Sequence, residues 1–195
     1  PMAAELCRVS LWLEALEPGK PLSFLDHHIR VGNSLLGATP ELIAAGLPDD
    51  AFTAIEGDDK QFCSALKRRN KQERAGQMDM RHMMVAEQAD EYDSLASRTR
   101  SIDETQDDTL AAIHGKAEQY HRLVVSPEYR HKQQIADAWC AAFVCPKRAD
   151  APADSLTTDT LRRLEADANA LARNQRDEVE RLSSQYQFFH WHLAF

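Results

Sequence analysis

Asp26, His27 and His28 stand side by side, and carboxylate next to imidazole is a donor set suited to hard or borderline cations and to phosphoester chemistry. On a strand, adjacent side chains face opposite ways, and no second donor cluster follows nearby. Packing beside a turn is therefore the expectation, and no metal is assigned. His190 and His192 would share one face of a terminal strand, but they lack a carboxylate or thiolate to complete a metal site. The 4 cysteines, Cys7, Cys63, Cys140 and Cys145, lack the paired spacing of a zinc site and read as reduced thiols.

Charged side chains offer a second kind of chemistry. Lys67, Arg68, Arg69, Lys71 and Arg74 crowd onto about two helical turns around Glu73, a density that can neutralise DNA phosphates. The same run also suits a solvated helix face whose aliphatic stems cover apolar surface. Asp103, Glu104, Asp107 and Asp108 read as an acidic helix start, favoured by the helix dipole. Met78, Met80, Met83 and Met84 recur at helical spacing and read as core filling rather than as an adaptable docking surface.

These groups must be positioned by a mostly helical chain. Leu6, Val9, Leu13 and Leu16 predict a helix over residues 2–16, stopped by Pro18-Gly19. From Phe24 to Asn33, Ile29 and Val31 alternate with polar residues before Gly32, which predicts a short strand ending in a turn. Glycines and prolines from Gly37 to Gly57 predict a loop region with one helical turn at Glu41 to Ala45. Beyond Asp58 the texture is helical. Phe62 and Leu66 mark one helix, Met80, Met84 and Leu95 a second, Leu110, Ile113, Ala117 and Val124 a third, and Ile135, Ala138, Trp139, Ala142 and Phe143 a fourth. Ser126-Pro127 marks a fresh helix start. After a loop over residues 146–158, Leu161, Leu164, Leu171, Val179, Leu182 and Tyr186 predict one helix of roughly 25 residues.

A chain of 195 residues that is 43% hydrophobic can enclose one core. Its net charge of -8 gives no overall attraction to DNA or to an anionic membrane, so any nucleic-acid contact must be local or made by other parts of a longer protein. There is no apolar run near the 18 or so residues that a membrane span needs, and a soluble, cytoplasmic location is expected. The chain opens on Pro1 directly into an amphipathic pattern and closes on an apolar octapeptide, Phe188 to Phe195, so both ends read as cut.

Two stretches together resemble a family. Pro1-Met2-Ala3-Ala4-Glu5-Leu6-Cys7-Arg8-Val9-Ser10-Leu11-Trp12-Leu13 and Phe24-Leu25-Asp26-His27-His28-Ile29-Arg30-Val31-Gly32-Asn33-Ser34-Leu35-Leu36-Gly37 are similar to adenine-specific DNA methyltransferases of the Eco57I type and of BREX- or DISARM-like restriction-modification and phage-defence systems. Phe188 to Phe195 resembles the phrase that often precedes the family's catalytic motif.

The resemblance implies a mainly α chain in which a helical insertion is attached to a partial Rossmann-like, class I methyltransferase α/β element. Residues 1–37 would belong to the S-adenosylmethionine-binding core, 38–186 to the insertion and 187–195 to the returning strand. It implies S-adenosyl-L-methionine as cofactor of the complete protein, with the Asn33 amide bonded to the adenine, Leu35 near the ring and Met2 packing from the preceding turn. Its partners would be double-stranded DNA, the remaining methyltransferase domains, subunits of the defence system and a second copy of the chain. No Gly-x-Gly loop, Asn-Pro-Pro or Asp-Pro-Pro occurs, so no catalytic residue is assigned and the chain alone is expected to be inactive. The competing expectation is a free-standing helical protein-interaction module.

Overall fold

A computed structural model describes residues 2–75, 94–105, 108–151 and 155–195. The described chain is mainly α. In order it forms α1 (Met2–Glu14), α2 (Pro40–Ala45), a 3-10 turn (Asp49–Phe52), α3 (Lys60–Ala75), a helix over 94–103 (α4), α5 (Leu110–Val124), α6 (Pro127–Val144), α7 (Thr158–Ala166), α8 (Arg173–Tyr186) and α9 (Trp191–Ala194). Met78, Met80, Met83, Met84 and Asp107 lie outside the described residues.

Local chemistry explains most of the boundaries. Asp59 opens α3 by accepting the amides of Gln61 at 2.7 Å and Phe62 at 3.2 Å, which satisfies donors that have no partner inside the helix. Thr109 caps α5 through Ala112 N, and Ser126 caps α6 through Tyr129 N with Pro127 in the first turn. At the far end of α6 the buried Lys147 donates to the carbonyls of Phe143 and Cys145, where the helix dipole favours a cation.

α6 is the centre of the fold. Ala136, Ala138, Ala141 and Ala142 are buried along it, and such small side chains let neighbouring backbones come close. Against them pack Leu161 and Leu164 of α7, Val179 and Leu182 of α8, and Ile43, Leu47 and Phe52 from the segment before α3. Trp139 packs against Phe143 with ring centroids 4.8 Å apart and planes tilted by 47°, and donates its indole N–H to Gly46 O. Gly46 has a φ of 76°, and a Cβ there would lie 2.8 Å from the Thr158 methyl, so glycine is required on both counts.

One buried polar knot holds this layer together. Asn70 Nδ2 donates to Leu47 O at 2.9 Å, Asn70 Oδ1 accepts from Thr158 N at 2.8 Å, and Thr158 Oγ1 accepts from Leu47 N at 3.0 Å. Asn70 and Thr158 are both 0% exposed, so every group in the knot depends on its protein partners rather than on water.

Three expectations are corrected. Residues 24–33 are not a strand: His28 N and Ile29 N both bond to Leu25 O, closing a turn, and only Asn33 makes a parallel bridge, to Phe188. Burial of Phe24 and His27 against Tyr120 of α5 outweighs the weak alternation of Ile29 and Val31. Residues 187–195 likewise make that single bridge and then turn into α9 rather than continuing as a strand. Finally, the predicted last helix is two. Asp167 Oδ1 accepts Asn169 N in a side-chain turn that ends α7, and Gln175 Oε1 accepts Ala172 N to start α8. Leu161, Leu164, Leu171, Val179 and Leu182 keep one apolar face because both helices pack on α6.

Candidate functional site

The turn from Gly32 to Gly37 is pinned along its length by the segment that follows α8. Asn33 N donates to Gln187 O at 2.7 Å, Phe189 N donates to Leu36 O at 2.8 Å, and the Trp191 indole donates to Ser34 O at 3.3 Å. At its end Ala38 N donates to His190 Nδ1 at 3.1 Å. The approach is so close that a Cβ on Gly37 would lie 2.0 Å from Phe189 O. Because Nδ1 accepts from Ala38, the proton sits on Nε2, which donates to Asp137 Oδ1 of α6 at 2.8 Å. His190 thus links the turn to the central helix, a role for which its neighbours in sequence gave no signal.

Of the expected cofactor residues, Asn33 and Leu35 lie in this turn, whereas Met2 lies on α1. Asn33 Oδ1 accepts Leu35 N at 3.2 Å, closing a local side-chain turn. Leu35 is 90% exposed and Met2 is 80% exposed on α1, a helix without a buried residue. Beside the turn lies a cleft of about 430 Å³ between residues 26–31, α5, the start of α6 and residues 188–194. Its polar groups form a chain: Arg30 lies 5.1 Å over the Tyr120 ring and donates to Tyr129 Oη at 3.3 Å, and Tyr129 donates to Leu193 O. Burial raises the Tyr129 phenol above its ordinary value despite Arg30, which suits a donor more than an acid. Arg8 pairs with Asp26 on the opposite wall at 3.0 Å, so the carboxylate is not turned toward the adjacent histidines.

Sequence reasoning set His27 and His28 on opposite faces, and the structure corrects this. In the turn their rings lie side by side, 3.9 Å apart, and Asp103 at the end of α4 approaches both, 2.8 Å from His27 Nε2 and 3.6 Å from His28 Nε2. The partner that the sequence does not reveal is Asp103, whose acidic run reads there as a helix start. The start of α5 is instead capped by Thr109, and Asp103 closes the helix before it.

On α3 the basic run divides. Lys67, Arg68, Arg69 and Lys71 are exposed, with Arg69 bonded to Glu73 at 2.8 Å. Arg74 reaches back to Leu47 O and Asp49 and helps to hold the loop before α3. Among the described residues Lys67, Arg68 and Lys71 have no ion pair, so a cationic patch smaller than the five expected residues faces outward.

Cys7 is exposed, while the other three thiols are not poised for chemistry. Cys63, Cys140 and Cys145 are free and buried, and burial pushes Cys140 up to about 12 and Cys145 up to about 11. Among the described residues no helix is long and apolar enough to cross a membrane.

His192, behind His190, gives the junction a pH dependence. Burial and the neighbouring His190 push its pKa down from 6.5 to about 4, against the pull of the Ala38 backbone and Glu41. The folded value lies below the unfolded one, so between these limits the unfolded chain binds a proton that the folded chain refuses. This contribution is complete above pH 6.5 and is lost as the pH falls toward 4. After discounting for the solvent that still reaches the ring, the loss should be about 2 kcal/mol. Urea unfolding across that window should show it, and His192→Gln should flatten the slope. An unchanged slope would place the acid sensitivity elsewhere.

Comparison of the chain with protein-family models, with curated proteins and with solved structures finds no match in any of the three.

Proposed function

We propose that this chain is part of an adenine-specific DNA methyltransferase of a restriction-modification or phage-defence system, with the Gly32 to Gly37 turn at its S-adenosyl-L-methionine site. The reading rests on the resemblance of residues 1–37. The observation that supports it best is the parallel contact between that turn and Phe188, since class I methyltransferases hold their cofactor at turns leaving a parallel sheet. A Rossmann-like sheet would then be completed by segments outside the described chain. The exposed Leu6, Leu13 and Leu16 on and just after α1 are compatible with such a neighbour, because an apolar helix gains stability chiefly by covering one face.

In this reading Asn33 Oδ1 shapes the turn and Nδ2 donates to the cofactor's adenine ring. Lys67, Arg68, Arg69 and Lys71 would meet DNA phosphates while Arg74 braces the loop behind them. Catalysis requires a polar residue that binds the flipped adenine's amino group, which belongs to another part of the protein.

The test is transfer of labelled methyl from S-adenosyl-L-methionine to unmethylated DNA by the complete polypeptide. Asn33→Asp keeps the acceptor for Leu35 N but removes the amide donor, so cofactor affinity should fall about tenfold with stability little changed. Asn33→Ala should lose both. Absence of transfer, together with absence of cofactor binding, would overturn the proposal.

A specific feature favours a second reading, a free-standing helical interaction module. The layer around α6 encloses its own core and satisfies its own buried polar knot without help from residues 1–37. Cofactor binding by the complete polypeptide separates the two readings.

A further inference from the structure

We propose that His27, His28 and Asp103 form a binding site for one divalent transition-metal ion of borderline hardness, such as zinc, which clips the turn at residues 26–28 to the end of α4. One nitrogen from each histidine and one carboxylate oxygen all lie within 4.8 Å of one another. Two imidazoles and a carboxylate form a common three-residue zinc set, with water completing the shell.

Three observations point to a cation here. His27 is 3% exposed, yet neither of its ring nitrogens makes a hydrogen bond among the described residues. The nearest oxygen, from Asp103, is 2.8 Å from Nε2 but off the line an N–H bond would need. Such a buried, poorly served polar group calls for an explanation, and a metal is one of the usual ones.

The second observation is the position of Asp103. It closes α4 at the negative end of the helix dipole, the wrong end for a carboxylate. A cation beside it reverses that penalty.

The third is the fixed plane of the His27 ring. Phe24 stacks flat on the same ring at 5.2 Å and fixes its plane. His28 and Asp103 are 56% and 42% exposed, so both can turn to close on an ion that enters from solvent.

Tetrahedral zinc with ligand bonds near 2.1 Å separates its donors by roughly 3.4 Å, between the two distances found here. Only small rotations of the two exposed side chains are needed. The site depends on neither the cofactor nor the DNA reading.

The experiment uses the untagged chain, titrated with zinc by calorimetry and with cobalt(II) as an absorption probe. One ion per chain is expected, with visible cobalt bands of low-coordinate nitrogen and oxygen ligation and a metal-dependent rise in Tm. His28→Ala and Asp103→Asn change exposed side chains, so both variants should fold, as checked by far-UV circular dichroism. Each should weaken binding by at least about tenfold and abolish the Tm rise. His192→Gln should leave binding unchanged. Undiminished affinity in the His28 and Asp103 variants, several weak equivalents per chain, or no binding at millimolar zinc would each overturn the proposal.

Discussion

Asn70→Ala is expected to destabilise the chain by about 3 kcal/mol, lowering Tm by roughly 6 to 12 °C for a protein of this size. The two bonds it removes are not equivalent. Leu47 O loses Asn70 Nδ2 but keeps Arg74 Nη1 at 3.3 Å, whereas Thr158 N loses its acceptor inside a fully buried site. The orphaned amide, together with the cavity left by the side chain, makes up most of the effect. Asn70→Leu separates the two causes, since it restores volume without restoring an acceptor. If Leu recovers nearly all the stability in urea unfolding, the packing argument wins and the hydrogen-bond argument fails. Lys67→Ala on the exposed face of the same helix should stay within about 0.5 kcal/mol of the parent.

The second large effect concerns His190. With Nδ1 accepting from Ala38, its Nε2 donates to Asp137, whose side chain is only 12% exposed, so His190→Ala leaves a nearly buried carboxylate without its donor. Breaking such a pair from one side costs about 3 kcal/mol or more. The same change removes the acceptor for Ala38 N, so hydrogen exchange at Ala38 should accelerate, and with it exchange at Asn33 and Phe189 where the turn meets its partner segment. A double-mutant cycle with Asp137→Ala gives the decisive comparison. The double variant should be much less unstable than the two singles summed. Simple additivity would mean that the histidine and the aspartate act independently.

This pair bears on the proposed cofactor site. If the Gly32 to Gly37 turn holds a cofactor, its shape depends on backbone bonds to Gln187 and Phe189 and on the His190 bridge to α6. Variants at Asp137, far along the sequence from Asn33, should therefore weaken cofactor binding through the turn alone. The proposed zinc site lies before the same turn, at residues 27 and 28, but reaches toward α4 instead.

Much of the helical body was legible in the amino-acid sequence. Period and capping chemistry act within a few residues, so Ser126-Pro127 and the run from Leu110 to Val124 mark their helices without help from distant parts. The apolar phase from Leu161 to Tyr186 was equally legible. The break inside it was not, because Asp167 and Asn169 close a turn that the phase of the leucines conceals.

What only the tertiary structure decided involves partners far apart in the chain. Whether Ile29 and Val31 join a strand depends on available edges, and here burial of Phe24 and His27 against Tyr120 prevails over one bridge to Phe188. The division of the basic run follows from Arg74 finding Leu47 O and Asp49, and the pairing of Asn70 with Thr158 follows from how α3 and α7 dock. Asp103 became a partner of His27 and His28 only because α4 ends beside their turn, and His190 became a bridge only because α6 presents Asp137 to it. The sequence by itself determined most of the helices, since their hydrogen bonds and caps are local; it could not determine the site, since loop closure and docking choose which distant polar groups meet.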